Sequence, residues 1–367
     1  LLLLYDLSKA FDTLDHTILL NKLRYDYNFD DNAIKLLSDY LSNRSYFVKI
    51  CNNVSRQIAI TTGVPQGSII GPLLFLLYVN DIPLYMPPNV FSILYVDDTG
   101  AMLHNNDTSL LQTETNNVMN NMMAYFHKNK LKLNLSKTKF MIFKSNKNIN
   151  VDIHIHSNGF PIEMVTSYKY LGFQIDDNLT MSKIADDLCN KLRKCAGVMA
   201  KCCKFLNKRQ LTLIFNCIGL SYISYFSVVL ANINSKNFNK IKHDYDHCGT
   251  VLFNCYFNCL KNFPWTDFRW VINKFQYIFI HKVIHQNFAP LLKEALFEHR
   301  YIKGYSLRNK DKLQIKRCNK TVGQKAFPVW VSKLWNVLPT DVTLITNPRL
   351  FSLALENEFS RGNIIGT

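Results

Sequence analysis

Residues 91–103 read FSILYVDDTGAML, and two adjacent acids, Asp97 and Asp98, interrupt an otherwise apolar run. Burying one unpaired carboxylate is unfavourable, and burying two side by side is worse. The flanking residues predict two short strands, 92–96 and 100–104, with Asp97-Asp98 as the turn between them. Acids at the tip of a tight hairpin face out of the sheet into a cleft, and they stay ionised if a divalent metal neutralises them. Aspartate is also an ordinary turn residue, so the pair alone does not decide between a metal site and a plain turn. A complete site needs a further carboxylate from a neighbouring strand.

The chain supplies one at its start. Leu1 to Leu4 and Tyr5 form a hydrophobic run that ends at Asp6, which places this acid at the mouth of a buried strand. Asp6 and Asp97 are 97 − 6 = 91 residues apart, ample for a central strand to pair with the later hairpin after two helices and a loop. Three carboxylates together with phosphate oxygens suit two Mg²⁺ ions, because magnesium takes hard oxygen ligands and borrows some from phosphates. Two such ions, ~3.5–4 Å apart, activate a 3′-hydroxyl and stabilise a leaving pyrophosphate.

Composition fits that chemistry. The 367 residues hold 43 Lys+Arg against 27 Asp+Glu, a formal charge of +16, which points to a polyanionic partner. Basic residues are spread among aromatics (13% of the chain), so nucleic acid fits better than a membrane surface. At 48% hydrophobic the chain is globular and long enough for two or three domains. Ten scattered cysteines read as free thiols of a reducing compartment, and the expected location is intracellular, in the nucleus and/or the cytoplasm, without secretion. The opening Leu-Leu-Leu-Leu-Tyr-Asp is too short and too soon charged for a signal peptide and reads as a strand entered mid-domain. Leu211–Ser235 carries no charge and is long enough to span a bilayer, yet it holds several Ser and Asn. Its periodicity, as in Leu213, Cys217, Leu220 and Ser224, favours a buried helix or helix pair.

Along the chain, a helix follows Asp15-His16 with Ile18, Leu19, Leu20 and Leu23 on one face. A second is capped by Asp30 or Asp31. Residues 46–50 and 56–61 read as a hairpin around Asn52-Asn53. Gly63 to Ser68 is a loop, Gly71-Pro72 opens an apolar helix, and another helix covers 109–128. From Lys128 to Lys147 there are seven lysines and no acid, suited to phosphates. Beyond Ser182 the pattern turns helical and basic.

These residues resemble a reverse transcriptase. Tyr95-Val96-Asp97-Asp98 resembles the family's catalytic Y-x-D-D box, and Tyr5-Asp6-Leu7-Ser8-Lys9-Ala10-Phe11-Asp12-Thr13-Leu14-Asp15-His16 resembles the first catalytic motif of non-LTR retrotransposon enzymes. Gly63-Val64-Pro65-Gln66-Gly67-Ser68 through Phe75 resembles their template- and nucleotide-contacting motif. Leu133-Asn134-Leu135-Ser136-Lys137-Thr138 resembles the next block, and Tyr170-Leu171-Gly172 resembles the primer grip. Each box is weak alone, but five in order over residues 1–176 are specific.

The resemblance implies an α+β fold: a right-hand polymerase palm, an antiparallel sheet with helices on one face, in residues 1–176. It implies a helical thumb-like region in 177–260 and a C-terminal region of unclear role in 261–367. The function implied is RNA-directed DNA synthesis, with an RNA template, a DNA primer and dNTPs as partners and two Mg²⁺ ions, or Mn²⁺ in their place, as cofactors. Asp6, Asp97 and Asp98 would be catalytic and metal-binding, with the Leu7 carbonyl assisting. Phe11 would be a steric gate against a ribose 2′-hydroxyl. Gln66 and Gly67 would contact nucleotide or template, Lys137 the leaving pyrophosphate, and Leu171 and Gly172 the primer end. Two departures stand out. Only five residues precede Asp6, so the fingers are expected to be largely missing and polymerase activity of this chain alone weak or absent. Val96 stands where this group more often has Ala. The alternative is a catalytically inactive nucleic-acid-binding remnant, and a membrane anchor through Leu211–Ser235 is a weaker one.

In the second half, the basic residues of 182–209 fit a thumb helix along a duplex, or a solvated helix face. Gly323 to Phe327 and Lys333 to Pro339 resemble a C-terminal segment of the same elements, with packing the expected role of Trp330 and Trp335. His243, His247, Cys248, Cys255 and Cys259 have spacings that fit one helix face better than a zinc site.

Overall fold

The computed structural model describes residues 1–144, 151–157, 159–254, 265–297, 312–315, 317–318 and 321–362. The chain divides into two units, Leu1–Leu179 and Thr180–Thr367.

The first unit is built on strand β1 (Leu2–Tyr5). Helices α1 (His16–Tyr25) and α2 (Asp31–Leu41) follow, each with an aspartate cap: Asp15 accepts from the Ile18 amide and Asp30 from the Ala33 amide. Four two-residue strands come next, β2 (Ser45–Tyr46), β3 (Lys49–Ile50), β4 (Asn53–Val54) and β5 (Ile58–Ala59), with β2 paired to β5 and β3 to β4. They form the expected hairpin, but Ile50 pairs with Asn53, so the tip is Cys51-Asn52, one residue earlier than the Asn-Asn pair suggests. Helix α3 (Gly71–Val79) starts on Gly71-Pro72, as proline at the second helical position allows.

Strands β6 (Phe91–Tyr95) and β7 (Asp98–Met102) close through Val96-Asp97. This corrects the sequence expectation: Asp98 is not in the turn but is the first residue of β7, paired with Tyr95. The two-residue connection leaves no room for a longer turn. Helix α4 (Thr108–Lys128) and strand β8 (Lys139–Met141) follow. Then come β9 (His156–Ser157), β10 (Phe160–Pro161), β11 (Glu163–Met164) and the hairpin β12 (Ser167–Tyr170) with β13 (Phe173–Asp176).

The main sheet has the order β11-β8-β1-β7-β6, with β1 at its centre, antiparallel to β7 and β8, while β11 joins β8 in parallel. Side chains alternate across a sheet, so Leu1, Leu3, Tyr5 and Leu7 share one face. They join the core with Phe75, Tyr78, Met119, Met122 and Phe126 of the helices. Leu2 and Leu4 turn to the other face and are also buried. That double burial explains why β1 reads as an unbroken apolar run rather than as an alternating one.

The second unit is helical. Helix α5 (Ser182–Cys202) buries Leu188, Leu192, Cys195 and Met199. The charge-free run is not one helix. Helix α6 (Lys208–Ile214) passes into a π-helical segment (Phe215–Leu220), helix α7 (Ser221–Phe226) and a 3₁₀ turn (Val229–Asn232). Its buried face is Leu211, Phe215, Gly219, Ile223 and Phe226, not the Leu213, Cys217, Leu220 and Ser224 face expected; Leu213 is 61% exposed. In so uniformly apolar a run the phase is set by bulk. Phe215 packs on Trp265 and Tyr245 at ring distances of 5.0 and 6.0 Å. Among the described residues, no helix is long and apolar enough to cross a membrane.

Helix α8 (Ser235–Asn254) packs on α5, joined at its surface by Arg193 to Asp244 (2.9 Å). It carries His243, His247 and Cys248, whereas Cys255 and Cys259 lie outside the described residues. The remaining helices are α9 (Phe268–His285), α10 (Pro290–Phe297), α11 (Thr321–Gln324), α12 (Phe327–Trp335), α13 (Thr340–Thr343) and α14 (Pro348–Ser360). They enclose a second core around Trp270, Tyr277, Val331, Trp335, Phe351 and Leu355, with Trp330 packed at its edge.

Candidate active site

Backbone pairing fixes the position of the acids. Tyr5 pairs with Thr99 and Leu4 with Gly100, so Asp6 lies one step past the last pair, opposite Asp98. By the same alternation Asp6 and Asp98 share the face of Leu2, Leu4 and Gly100, away from the helix-covered core. Asp97 sits beside them on the Val96-Asp97 turn. Burial raises the Asp98 carboxyl above the usual carboxylate range, and the Asp97 and Asp6 charges push it further the same way. The three acids expected to meet are therefore brought to one end of the sheet. Among the described residues, however, no three His, Cys, Asp or Glu side chains form a ready-made metal cage.

Val96 has φ +57, a left-handed conformation that a β-branched residue rarely adopts. The sequence identified Val96 only as a departure in residue type, since side-chain size says nothing of backbone strain.

Asp6 is anchored by its backbone. Its amide donates to Thr138 Oγ1 (3.4 Å) and its carbonyl accepts from the Asn134 amide (2.8 Å). Leu7 bridges Leu133, with the Ser8 amide donating to the Lys132 carbonyl. In that pattern Leu7's own carbonyl points away from its partner strand. Lys137 Nζ lies 3.9 Å from Asp6 Oδ2, so the motif lysine is at the acids.

A second cluster surrounds the glycine loop. Phe11 packs on Phe75 with ring centroids 4.7 Å apart. The Gly63 amide donates to the Leu14 carbonyl (2.7 Å) and the Val64 amide to the Phe11 carbonyl (2.9 Å). Gln66 Nε2 donates to Asp12 Oδ1 (2.9 Å), Thr62 Oγ1 to the Asp12 carbonyl (3.0 Å), and His16 Nε2 meets the Gly63 carbonyl at 2.7 Å. Gly67, with φ +82, has open space where a side chain would go. Asp12 and His16 were not singled out from the sequence. Their partners lie about fifty positions away, beyond the reach of local pattern, and only their place inside the first motif was a signal.

Leu171 and Gly172 form the two-residue turn between β12 and β13, with φ of 47 and 80, the signs a type I′ turn requires. Tyr168 and Tyr170 carry this hairpin to the acids. Both phenols are pushed up, first by burial, then by Asp6 and Asp98 on Tyr168 and by Asp98 on Tyr170. The Tyr170 hydroxyl also stands 3.7 Å from where a Cβ on Gly100 would lie. A bulkier residue at 100 would crowd it.

Residues 1–175 match the model of the reverse transcriptase (RNA-dependent DNA polymerase) family. Among curated proteins of Drosophila melanogaster, the probable RNA-directed DNA polymerase from transposon BS is 26% identical over 211 residues, 56% of this chain and 23% of that protein. The RNA-directed DNA polymerase from mobile element jockey is 25% identical over 185 residues, 48% of this chain and 20% of that protein. The chain thus spans less than a quarter of the length of the relatives it matches. A solved telomerase from Candida albicans, in complex with a TWJ fragment of telomeric RNA, superposes with a TM-score of 0.35 at 10% identity, covering 83% of this chain and 50% of that one. So loose an overlap adds nothing to the topology described above.

Proposed function

From the premise that residues 1–175 belong to the reverse transcriptase family, in the form found in non-LTR retrotransposons, we propose that this chain carries the polymerase site of such an element and extends a DNA primer on an RNA template. The observation that supports this most is the pairing of β1 with β7, which sets Asp6 beside Asp98 with Asp97 on the adjoining turn.

The family implies dependence on divalent metal, and the donor set fits one. Three carboxylates and a backbone carbonyl are hard oxygen ligands; Asp98 is raised first by burial and then by the Asp97 and Asp6 charges, and that repulsion is of the kind a cation removes. Asp6, Asp97, Asp98 and the Leu7 carbonyl would hold two Mg²⁺ ions, or Mn²⁺. When bound, such ions lower the pKa of the attacking hydroxyl and neutralise charge on the leaving group. The remaining roles belong to side chains. Phe11, held against Phe75, closes the space beside a sugar 2′-carbon and so favours dNTPs. Asp12 fixes the Gln66 amide, which presents its free edge, with the Gly67 backbone, to the nucleotide or template. Lys137 donates a positive charge, and a proton, to departing pyrophosphate. The Leu171-Gly172 turn supports the primer end beside the acids. The eight described cysteines are all free, which supports an intracellular setting, nuclear and/or cytoplasmic.

Primer extension with Mg²⁺ and dNTPs on an RNA template tests the proposal. Extension should vanish in Asp97→Asn while nucleic-acid binding persists. Salt-sensitive binding without any extension by the wild type would instead mark a nucleic-acid-binding remnant.

A further inference from the structure

The hairpin β12–β13 carries a donor that none of the roles above employs. Tyr170 pairs with Phe173 on either side of the Leu171-Gly172 turn. Its hydroxyl oxygen is buried and has no hydrogen-bond partner among the described residues. A buried O–H without an acceptor is destabilising, and phenylalanine would fill the same space without that penalty. An orphan of this kind in a native protein points to a ligand, an ion or a reacting group.

The place of the hydroxyl narrows the choice. It stands 3.7 Å from where a Cβ on Gly100 would lie, and the same Cβ would meet Leu2 Cδ1 at 3.6 Å. The phenol therefore occupies the slot that Gly100 leaves open on the acid-bearing face of the sheet. Asp98 is the neighbouring residue on that face, about 6.8 Å along β7, two steps of ~3.4 Å. A phenol oxygen and a carboxylate oxygen so placed meet by a small side-chain rotation or through one water. After burial, the Asp98 charge acts most strongly on the phenol. The Asp98 carboxylate likewise has no hydrogen-bond donor among the described residues. A donor without an acceptor thus stands beside an acceptor without a donor.

We propose that Tyr170 is a positioning residue of the acid cluster: its hydroxyl donates to the Asp98 carboxylate, directly or through one water, and so fixes which oxygen faces a bound cation. A carboxylate that ligates metal is itself held by such outer hydrogen bonds. The role rests on the polymerase reading, in which Asp98 is a ligand. It also ties the hairpin that supports the primer end to the acids through a side chain.

The test reads metal binding by the full chain, without nucleic acid or dNTPs. Mn²⁺ is titrated and the free ion followed by its EPR signal, and the binding lost in Asp98→Asn is the binding at the acids. Tyr170→Phe keeps the ring and removes the hydroxyl. It should weaken that binding about tenfold, the lower end for a group that hydrogen-bonds a metal ligand. Tyr40 on α2 is the control, because its hydroxyl is also buried without a partner among the described residues. Tyr40→Phe should leave Mn²⁺ affinity unchanged. Without metal, neither variant should melt below wild type, since each loses an unsatisfied group. Unchanged Mn²⁺ affinity in Tyr170→Phe overturns the positioning role, even where the KM for primer rises, a result that would give the hydroxyl to the primer end. So does a metal-free melt of Tyr170→Phe well below wild type, which makes the hydroxyl part of the packing, and so does wild-type binding that Asp98→Asn leaves intact. A wild type that binds Mn²⁺ through Asp98 and Tyr170 yet never extends a primer removes the polymerase reading and leaves the positioning role. Primer extension by a wild type whose Tyr170→Phe variant binds Mn²⁺ equally well does the reverse.

Discussion

Replacing Gly63 by alanine tests the seam between the first motif and the glycine loop. Gly63 has φ +83, and a Cβ there would meet Phe11 O and Asp12 Cα at 2.8 Å and Asp12 C at 2.9 Å. All three are backbone atoms, so no side-chain rotation relieves the clash. The left-handed conformation alone costs alanine ~1–2 kcal/mol. Forcing backbone apart adds ~1–3 kcal/mol, the range for overpacking. Gly67 provides the control, because its φ is +82 but nothing lies within 4 Å of its added Cβ. Gly67→Ala should therefore cost only the conformational part. The two contributions together come to ~2–5 kcal/mol, so with ~2–4 °C per kcal/mol for a unit of this size Gly63→Ala should melt ~4–20 °C below wild type and Gly67→Ala ~2–8 °C. Circular dichroism melts measure the difference. Hydrogen exchange localises it, because the Gly63 and Val64 amides, bonded to the Leu14 and Phe11 carbonyls, should exchange faster only in Gly63→Ala. Equal melting of the two variants would refute the close backbone approach.

Further outcomes follow from other parts of the first unit. Val96→Asn should stabilise it by about 1 kcal/mol, since asparagine tolerates the left-handed turn that valine resists, and the melt should rise rather than fall. The raised Asp98 carboxyl means that the folded state holds its proton to higher pH than the unfolded chain. Stability therefore falls as pH rises from the unfolded value near ~3.9 through the raised one. Asp98→Asn should melt higher than wild type at neutral pH, with the gain gone below about pH 4, and added Mg²⁺ should stabilise wild type more than the variant. Lys22 bridges Asp81 Oδ1 at 2.8 Å and the Tyr78 carbonyl at 2.7 Å with its side chain only 10% exposed. Lys22→Met should cost ~3 kcal/mol in urea titration, and adding Asp81→Asn should cost less than the sum of the two.

Much of this was legible where the signal is local. Asp15 and Asp30 cap their helices because a short acceptor side chain before an apolar stripe satisfies free amides. The run before Asp6 announced a buried strand, and the doubled acid announced a hairpin. What escaped depends on distant partners or on phase. Whether Asp98 ends the turn or begins β7 is settled by pairing with Tyr95, which no local propensity encodes. The buried face of 211–226 is chosen by Tyr245 and Trp265, far along the chain. Asp12 and His16 looked like ordinary members of a motif until the loop they clamp was placed against them.

Because Asp6 and Asp98 ride on neighbouring strands at the centre of the sheet, the gap between them is set by main-chain ladder spacing and not by any loop. On warming, the β2–β5 hairpin and the glycine loop should loosen first, while the acids keep their distance until β1 itself separates from β7. Variation in what is bound can accumulate at the periphery without disturbing the reacting centre, and loss of that centre should coincide with collapse of the whole first unit.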